Sequence, residues 1–200
     1  MSLSPRERRL ARLFTVVVQG DWDRLREERQ SAPDGEPDRG WRECVLQAHV
    51  FAGFPRVVEA YGVLAACGGL GALEPGEALA EDEQPERGRA LFERIYGKDA
   101  PRVRETLRAG HPDFERWIEG HAYGRILSRP GLDPRTRELL AVAGLAALGQ
   151  DRQVASHARG ALRCGAKADE VSEVIAAVAD LITPERLERA RTVVAHFAGS

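Results

Sequence analysis

Residues 139–148 read LLAVAGLAAL, a run without a single polar side chain. Asp133 and Pro134 stand just ahead of it as a cap and a first helical residue, and Gly149 stands behind it as a stop. A helix that is apolar on every side has no face to offer to water, so other helices must surround it. The run is also shorter than the roughly 20 apolar residues that a membrane span requires. These two constraints together select a multi-helix bundle built around residues 134–148.

The rest of the chain agrees with that choice. Ala, Leu, Arg and Glu recur at helical spacing, and strand-type alternation is nearly absent, so the fold class is all-α. The first helix opens at SPRE, where Ser4 caps, Pro5 takes the first position and Glu7 completes a capping box. DWDRLREERQSA gives a short second helix, and PDGEPDRG at residues 33–40 is a turn-rich break. One helix starts at Trp41 and another follows a Gly-Pro hinge, as FPRVVEAYGVLAAC. Helices are predicted at RGRALFERIYG, PRVRETLRAG and PDFERWIEGHAYGRIL, the last two burying Leu107, Phe114, Trp117 and Ile118. After the central helix come DRQVASHARGALRCG, ADEVSEVIAAVADLI, and TPERLERARTVVAHFAG with Thr183 as its cap.

The segment GGLGALEPGEALAEDEQPE at residues 68–86 is rich in Gly, Pro and acid and reads as a linker or exposed loop. It separates an N-terminal helical part, residues 1–67, from a larger part, residues 87–200. Lys and Arg number 29 against 31 Asp and Glu, so there is no basic footprint for nucleic acid. The three cysteines are widely spaced with no CxxC pair, which indicates neither a disulfide framework nor a metal site. With no apolar run of membrane length and no cleavable leader, the expected setting is the cytoplasm, away from membranes.

Several polar groups stand out against the apolar helices. Glu138 is the last charge before the apolar run, either solvated near the helix start or partly desolvated and suited to proton transfer. His157 flanks the stripe marked by Val154, Ala158, Ala161 and Leu162, at the edge of the core, where a structural role and a catalytic one are both open. Arg159 and Arg163 share a helix face that suits an anion or plain solvent. His121 and Tyr123 lie between glycines, marking either a pocket edge or a tight helix crossing, and Gln47 and His49 interrupt an apolar helix and need partners.

The stretch RPGLDPRTRELLAVAGLAALGQDRQVASHARGALRCGAKADEVSEVI, with GRALFERIYG and HPDFERWIEGHAYGRILSRPGLD ahead of it, resembles the carboxymuconolactone decarboxylase family of the alkylhydroperoxidase D-like superfamily. The likeness covers residues 88–178 and combines RPGLD, a glutamate five residues on, and H-x-R-G-A-L. ECVLQAHVFAGFPRVVEA, before this core, looks like the helix and hinge that the family usually carries after it. The resemblance therefore implies an alkylhydroperoxidase D-like helical bundle in a degenerate or permuted two-part arrangement, assembled as a dimer, trimer or hexamer.

Within that superfamily, the peroxidase branch works through a CxxC pair, a following histidine and a glutamate on the preceding helix. On this chain the glutamate falls on Glu138, the histidine on His157, and the two cysteines on Gln150 and Gln153. Glutamine can neither attack a peroxide nor resolve a sulfenic acid. The resemblance then implies the decarboxylase branch, which removes carbon dioxide from a small carboxylated lactone with no cofactor and no metal. In that reading His157 is the acid-base group and Glu138 orients it, and Arg159 or Arg129 anchors a substrate carboxylate. His121, Tyr123 and His49 then form the pocket wall. A thiol-dependent redox protein and a non-catalytic binding relative are the alternatives.

Overall fold

The computed structural model describes residues 2–78, 80 and 83–197, so part of the 68–86 segment and the last residues of the C-terminal part lie outside the described residues. Among the described residues the secondary structure is helical, with no strand. The helices are α1 Pro5–Gln19, α2 Trp22–Gln30, α3 Asp38–Ala52, α4 Phe54–Ala66, α5 Gln84–Tyr96, α6 Ala100–Gly110 and α7 Pro112–Trp117. A π-helical segment, Ile118–Leu127, continues from α7, and α8 Pro134–Leu148, α9 Asp151–Arg163, α10 Ala168–Ala177 and α11 Pro184–Ala195 complete the chain. No described helix is long and apolar enough to cross a membrane.

Local signals fix several ends. The Ser4 hydroxyl accepts from the Glu7 amide while Glu7 reaches back to the Ser4 amide, closing the expected capping box of α1. Asp133 caps α8 by accepting from the Thr136 amide at 3.0 Å. Thr183 occupies the N-cap position of α11, but its side chain makes no capping bond. The helix expected from Trp41 begins earlier, at Asp38, and takes in part of the predicted break.

Helix α8 is the buried centre: every residue from Thr136 to Ala147 is buried. It packs against α1, α3, α9, α10 and α11. At Gly144 a Cβ would lie 2.5 Å from the Phe14 ring, so only glycine lets α1 and α8 meet there. Phe14 is itself fully buried, a burial that contributes on the order of 2 kcal/mol. Residues from both sides of the 68–86 segment share this core, since α1, α3 and α4 contribute to it alongside α8 to α11.

The 68–78 stretch runs along the surface but is tied down by Glu77, whose carboxylate accepts from Arg42 Nε at 2.8 Å and Arg42 Nη2 at 2.5 Å. A second apolar cluster joins α5, the π segment and Cys164, built on Leu91, Phe92, Ile95, Ala122, Tyr123 and Leu127. Here α5 and the π segment touch backbone to backbone: a Cβ on Gly88 would lie 2.7 Å from the Gly124 backbone.

The expected burial of Leu107, Phe114, Trp117 and Ile118 needs correction. Leu107 and Ile118 are half-buried, whereas Phe114 and Trp117 are 45% and 64% exposed. Helix α7 is only six residues long and rests mainly on α6 and the π segment, leaving Phe114 and Trp117 open to solvent.

Candidate active site

Helices α8 and α9 form an antiparallel hairpin, turned at Gly149 in the left-handed conformation (φ 72°). The hairpin brings Glu138 of α8 against His157 of α9, with His157 Nδ1 3.0 Å from Glu138 Oε2. Glu138 is 1% exposed and His157 9%, so the glutamate is not solvated near the helix start. The carboxylate accepts from Nδ1–H, which fixes the ring's tautomer and turn and leaves Nε2 as the nitrogen available for other work.

Gly160, one turn beyond His157, makes room for this pair. A Cβ there would stand 2.1 Å from Glu138 Oε2, so the missing side chain is the space that the carboxylate fills. On the other side, the His157 ring meets the edge of Phe51, with centroids 5.5 Å apart.

His157 lines a cavity of about 830 Å³ between α3, α5, α6, the π segment, α8 and α9. Its wall is largely apolar, with Phe51, Leu107, Ile118 and Leu145 among the residues that form it. The polar groups on it are Tyr96, Tyr123, Thr106, Ser156, Gln150, Gln153, Arg102 and Arg152. Among the described residues no aspartate or glutamate lines it, so the charge on the wall is positive, and the cavity is suited to an anion. Tyr123 donates from its hydroxyl to the Tyr96 hydroxyl at 3.0 Å, and burial pushes the Tyr123 phenol well above its ordinary range.

The other expected site residues are distributed differently. Arg129 is absent from the cavity wall; its guanidinium binds Glu43 at 2.8 to 3.1 Å and the Glu77 carbonyl at 2.8 Å. Glu43 also takes a bond from the buried Arg137 at 2.7 Å, so this is an internal ion-pair cluster that joins α3 to α8. Gln47, beside it, is satisfied through both ends of its amide, by the Arg137 carbonyl and guanidinium. Arg159 is exposed, does not line the cavity, and lies over the Phe197 ring at 6.0 Å. Arg163 caps the end of α5 by donating to the Ile95 and Tyr96 carbonyls, and it pairs with Asp99 at 3.0 Å, so Arg159 and Arg163 do not work as a pair.

His49 and His121 meet each other, Nε2 to Nε2 at 2.7 Å, behind the wall to which their neighbours Val50, Phe51 and Ala122 contribute. His49 Nδ1 faces the Leu46 carbonyl at 2.6 Å and must donate to it, so in the neutral pair His121 donates to His49. Burial, then His49 and Arg125, lower the His121 pKa below its ordinary value. Tyr123 is on the wall, one residue before the tight crossing at Gly124, so the GHAYG stretch serves both as pocket edge and as crossing.

None of the three cysteines lines the cavity. Cys44 is buried against the Leu10 carbonyl, and burial raises its pKa strongly. Burial pushes the Cys164 thiol up to about 11, and Cys67 stands at the C-terminal end of α4. Gln150 and Gln153 occupy the cavity wall at the positions where the resemblance would put a thiol pair.

Sequence reasoning missed Tyr96, Ser156, Arg102 and Arg152. Their signal was weak: Tyr96 reads as an ordinary helix-end residue and the two arginines as two among many. Ser156, next to His157 in sequence, and Arg152, next to Gln153, lay beside residues already singled out.

Residues 112–196 match the model of the carboxymuconolactone decarboxylase family. The chain is 32% identical over 98 residues to the 4-carboxymuconolactone decarboxylase of Acinetobacter baylyi, a match covering 48% of this chain and 73% of that protein. It is also 27% identical over 135 residues to peroxisomal protein 2 of Schizosaccharomyces pombe, covering 65% of this chain and 62% of that one.

Proposed function

The chain belongs to the carboxymuconolactone decarboxylase family, and on that premise we propose that it decarboxylates a small carboxylated lactone. The observation that carries this reading is the buried Glu138–His157 pair at 3.0 Å on the wall of a cavity free of acidic side chains among the described residues. An unsaturated lactone is its own electron sink. As the bond to the departing carboxylate breaks, its electron pair moves through the ring double bond onto the lactone carbonyl oxygen. The carbonyl then re-forms and the ring carbon takes a proton.

In this reading His157 delivers that proton from Nε2, while Glu138 holds Nδ1 and balances the charge on the ring when it carries both protons. Solvent restores the proton between turnovers. Arg102 and Arg152 replace Arg129 and Arg159 as the anchors of the substrate's carboxylates, since they line the cavity and the other two do not. Arg102 is only loosely held by Asp99, at 3.8 Å, so its guanidinium can turn to a ligand.

The thiol-dependent alternative is disfavoured because none of the three cysteines lines the cavity. The test is to supply 4-carboxymuconolactone and follow release of carbon dioxide. Turnover supports the reading; no release from this acid or from related carboxylated lactones contradicts it and favours a binding protein.

A further inference from the structure

We propose that Tyr96, held by Tyr123 on the cavity wall, is a catalytic hydrogen-bond donor to the substrate oxygen on which negative charge builds as carbon dioxide leaves. The inference rests on the decarboxylase reading above and names a residue that neither the sequence motif nor the histidine–glutamate pair includes.

Tyr96 is the last residue of α5, and its position is set from both sides. Arg163 donates to its backbone carbonyl, and its ring packs on Phe92 with centroids 4.5 Å apart. Its hydroxyl oxygen receives the Tyr123 proton at 3.0 Å, in the sense that favours negative charge on Tyr96. A phenol oxygen has two acceptor positions and one proton. With Tyr123 donating to one acceptor position, the Tyr96 proton is left to give, and the open side of this pair is the cavity. The donated bond makes that proton a stronger donor, because hydrogen bonds in series polarise one another.

Tyr123 cannot play the same part, since its own proton already goes to Tyr96. Burial pushes the Tyr96 phenol above its ordinary range, with the bond from Tyr123 pulling the other way, so the group keeps its proton in neutral water. It stabilises the oxyanion without giving that proton up, and His157 supplies the one that goes to carbon. The arrangement thus divides the reaction between two groups: charge on oxygen at Tyr96, proton to carbon at His157.

The experiment compares two probes on the intact protein at pH 8: 4-hydroxy-3-nitrobenzoate, whose ring hydroxyl is ionised, and 3-nitrobenzoate, which lacks it. Calorimetry should show the wild type preferring the phenolate by about tenfold or more. Tyr96→Phe should abolish the preference while leaving 3-nitrobenzoate affinity and the thermal midpoint near wild type, and Tyr123→Phe should reduce it by a smaller factor. With a carboxylated lactone as substrate, Tyr96→Phe should lower kcat by about a hundredfold with KM little changed. A preference that survives in Tyr96→Phe, or is missing from the wild type, overturns the assignment. A preference that Tyr96→Phe abolishes, on a protein that turns over no carboxylated lactone, supports the donor role of Tyr96 and overturns the decarboxylase reading instead.

Discussion

Glu138 and His157 face each other across the α8–α9 hairpin with 3.0 Å between the carboxylate oxygen and Nδ1, and Gly160 leaves that oxygen the room it occupies. Removing the charge while keeping the shape tests what the carboxylate does. Glu138→Gln should lower kcat for decarboxylation by about a hundredfold and change KM by no more than a few-fold, as measured by steady-state kinetics. An unchanged kcat would assign the pair to structure alone.

The room at Gly160 can be tested by filling it. A methyl group there meets Glu138 Oε2 at 2.1 Å, so Gly160→Ala must push the carboxylate away from His157. The expected cost is about 1–3 kcal/mol of stability, together with most of the activity. Adding Glu138→Ala should restore stability in denaturant unfolding but not activity, because it removes the clash and the carboxylate together.

The arginines divide by location. Arg102→Gln and Arg152→Gln should each raise KM for a carboxylated lactone by about tenfold while leaving kcat and stability nearly unchanged. Added salt should weaken wild-type binding in the same direction. Arg129→Gln should do the reverse: KM stays, while stability falls by about 2 kcal/mol, because Glu43 is fully buried and keeps only Arg137 as a cationic partner.

How far the sequence alone reached depended on the range of the interactions involved. The capping box at Ser4 and Glu7, the Asp133 cap and the Gly149 stop are made between near neighbours, and the structure has all three. The central position of α8 was legible because an all-apolar helix admits one environment. His157 and Glu138 were reached through the motif, and their contact is a property of the hairpin that the motif spans. The arginines could not be sorted in this way. Whether a guanidinium meets Glu43, Phe197 or an open cavity is decided by residues far away in the chain, so the sequence pointed to Arg129 and Arg159 and passed over Arg102 and Arg152. Tyr96 was missed for the same reason: its partner Tyr123 reaches it only once α5 has packed on the π segment. Phe114 and Trp117 were misjudged because helical periodicity identifies an apolar face without saying whether another layer covers it.

Acid should release the 68–78 stretch. Arg42 holds Glu77 at about pH 2, below its ordinary value of 4.5, so the folded state binds this proton less readily than the unfolded chain. A depressed carboxylate gives stability that is complete above the unfolded value and is lost as pH falls through the folded one. The expected contribution is on the order of 3 kcal/mol, vanishing between about pH 4.5 and 2. Unfolding of wild type and Glu77→Gln compared across that window should show the two curves converging as the pH drops. A constant gap would contradict this role for the pair.

The central claim is that His157 delivers the proton that completes decarboxylation. Its most direct test is the rate of carbon dioxide release from 4-carboxymuconolactone by wild type and His157→Gln, with thermal midpoints confirming that both are folded. The account predicts turnover by the wild type and a loss of roughly a thousandfold in the variant. Equal rates from the two proteins would contradict it.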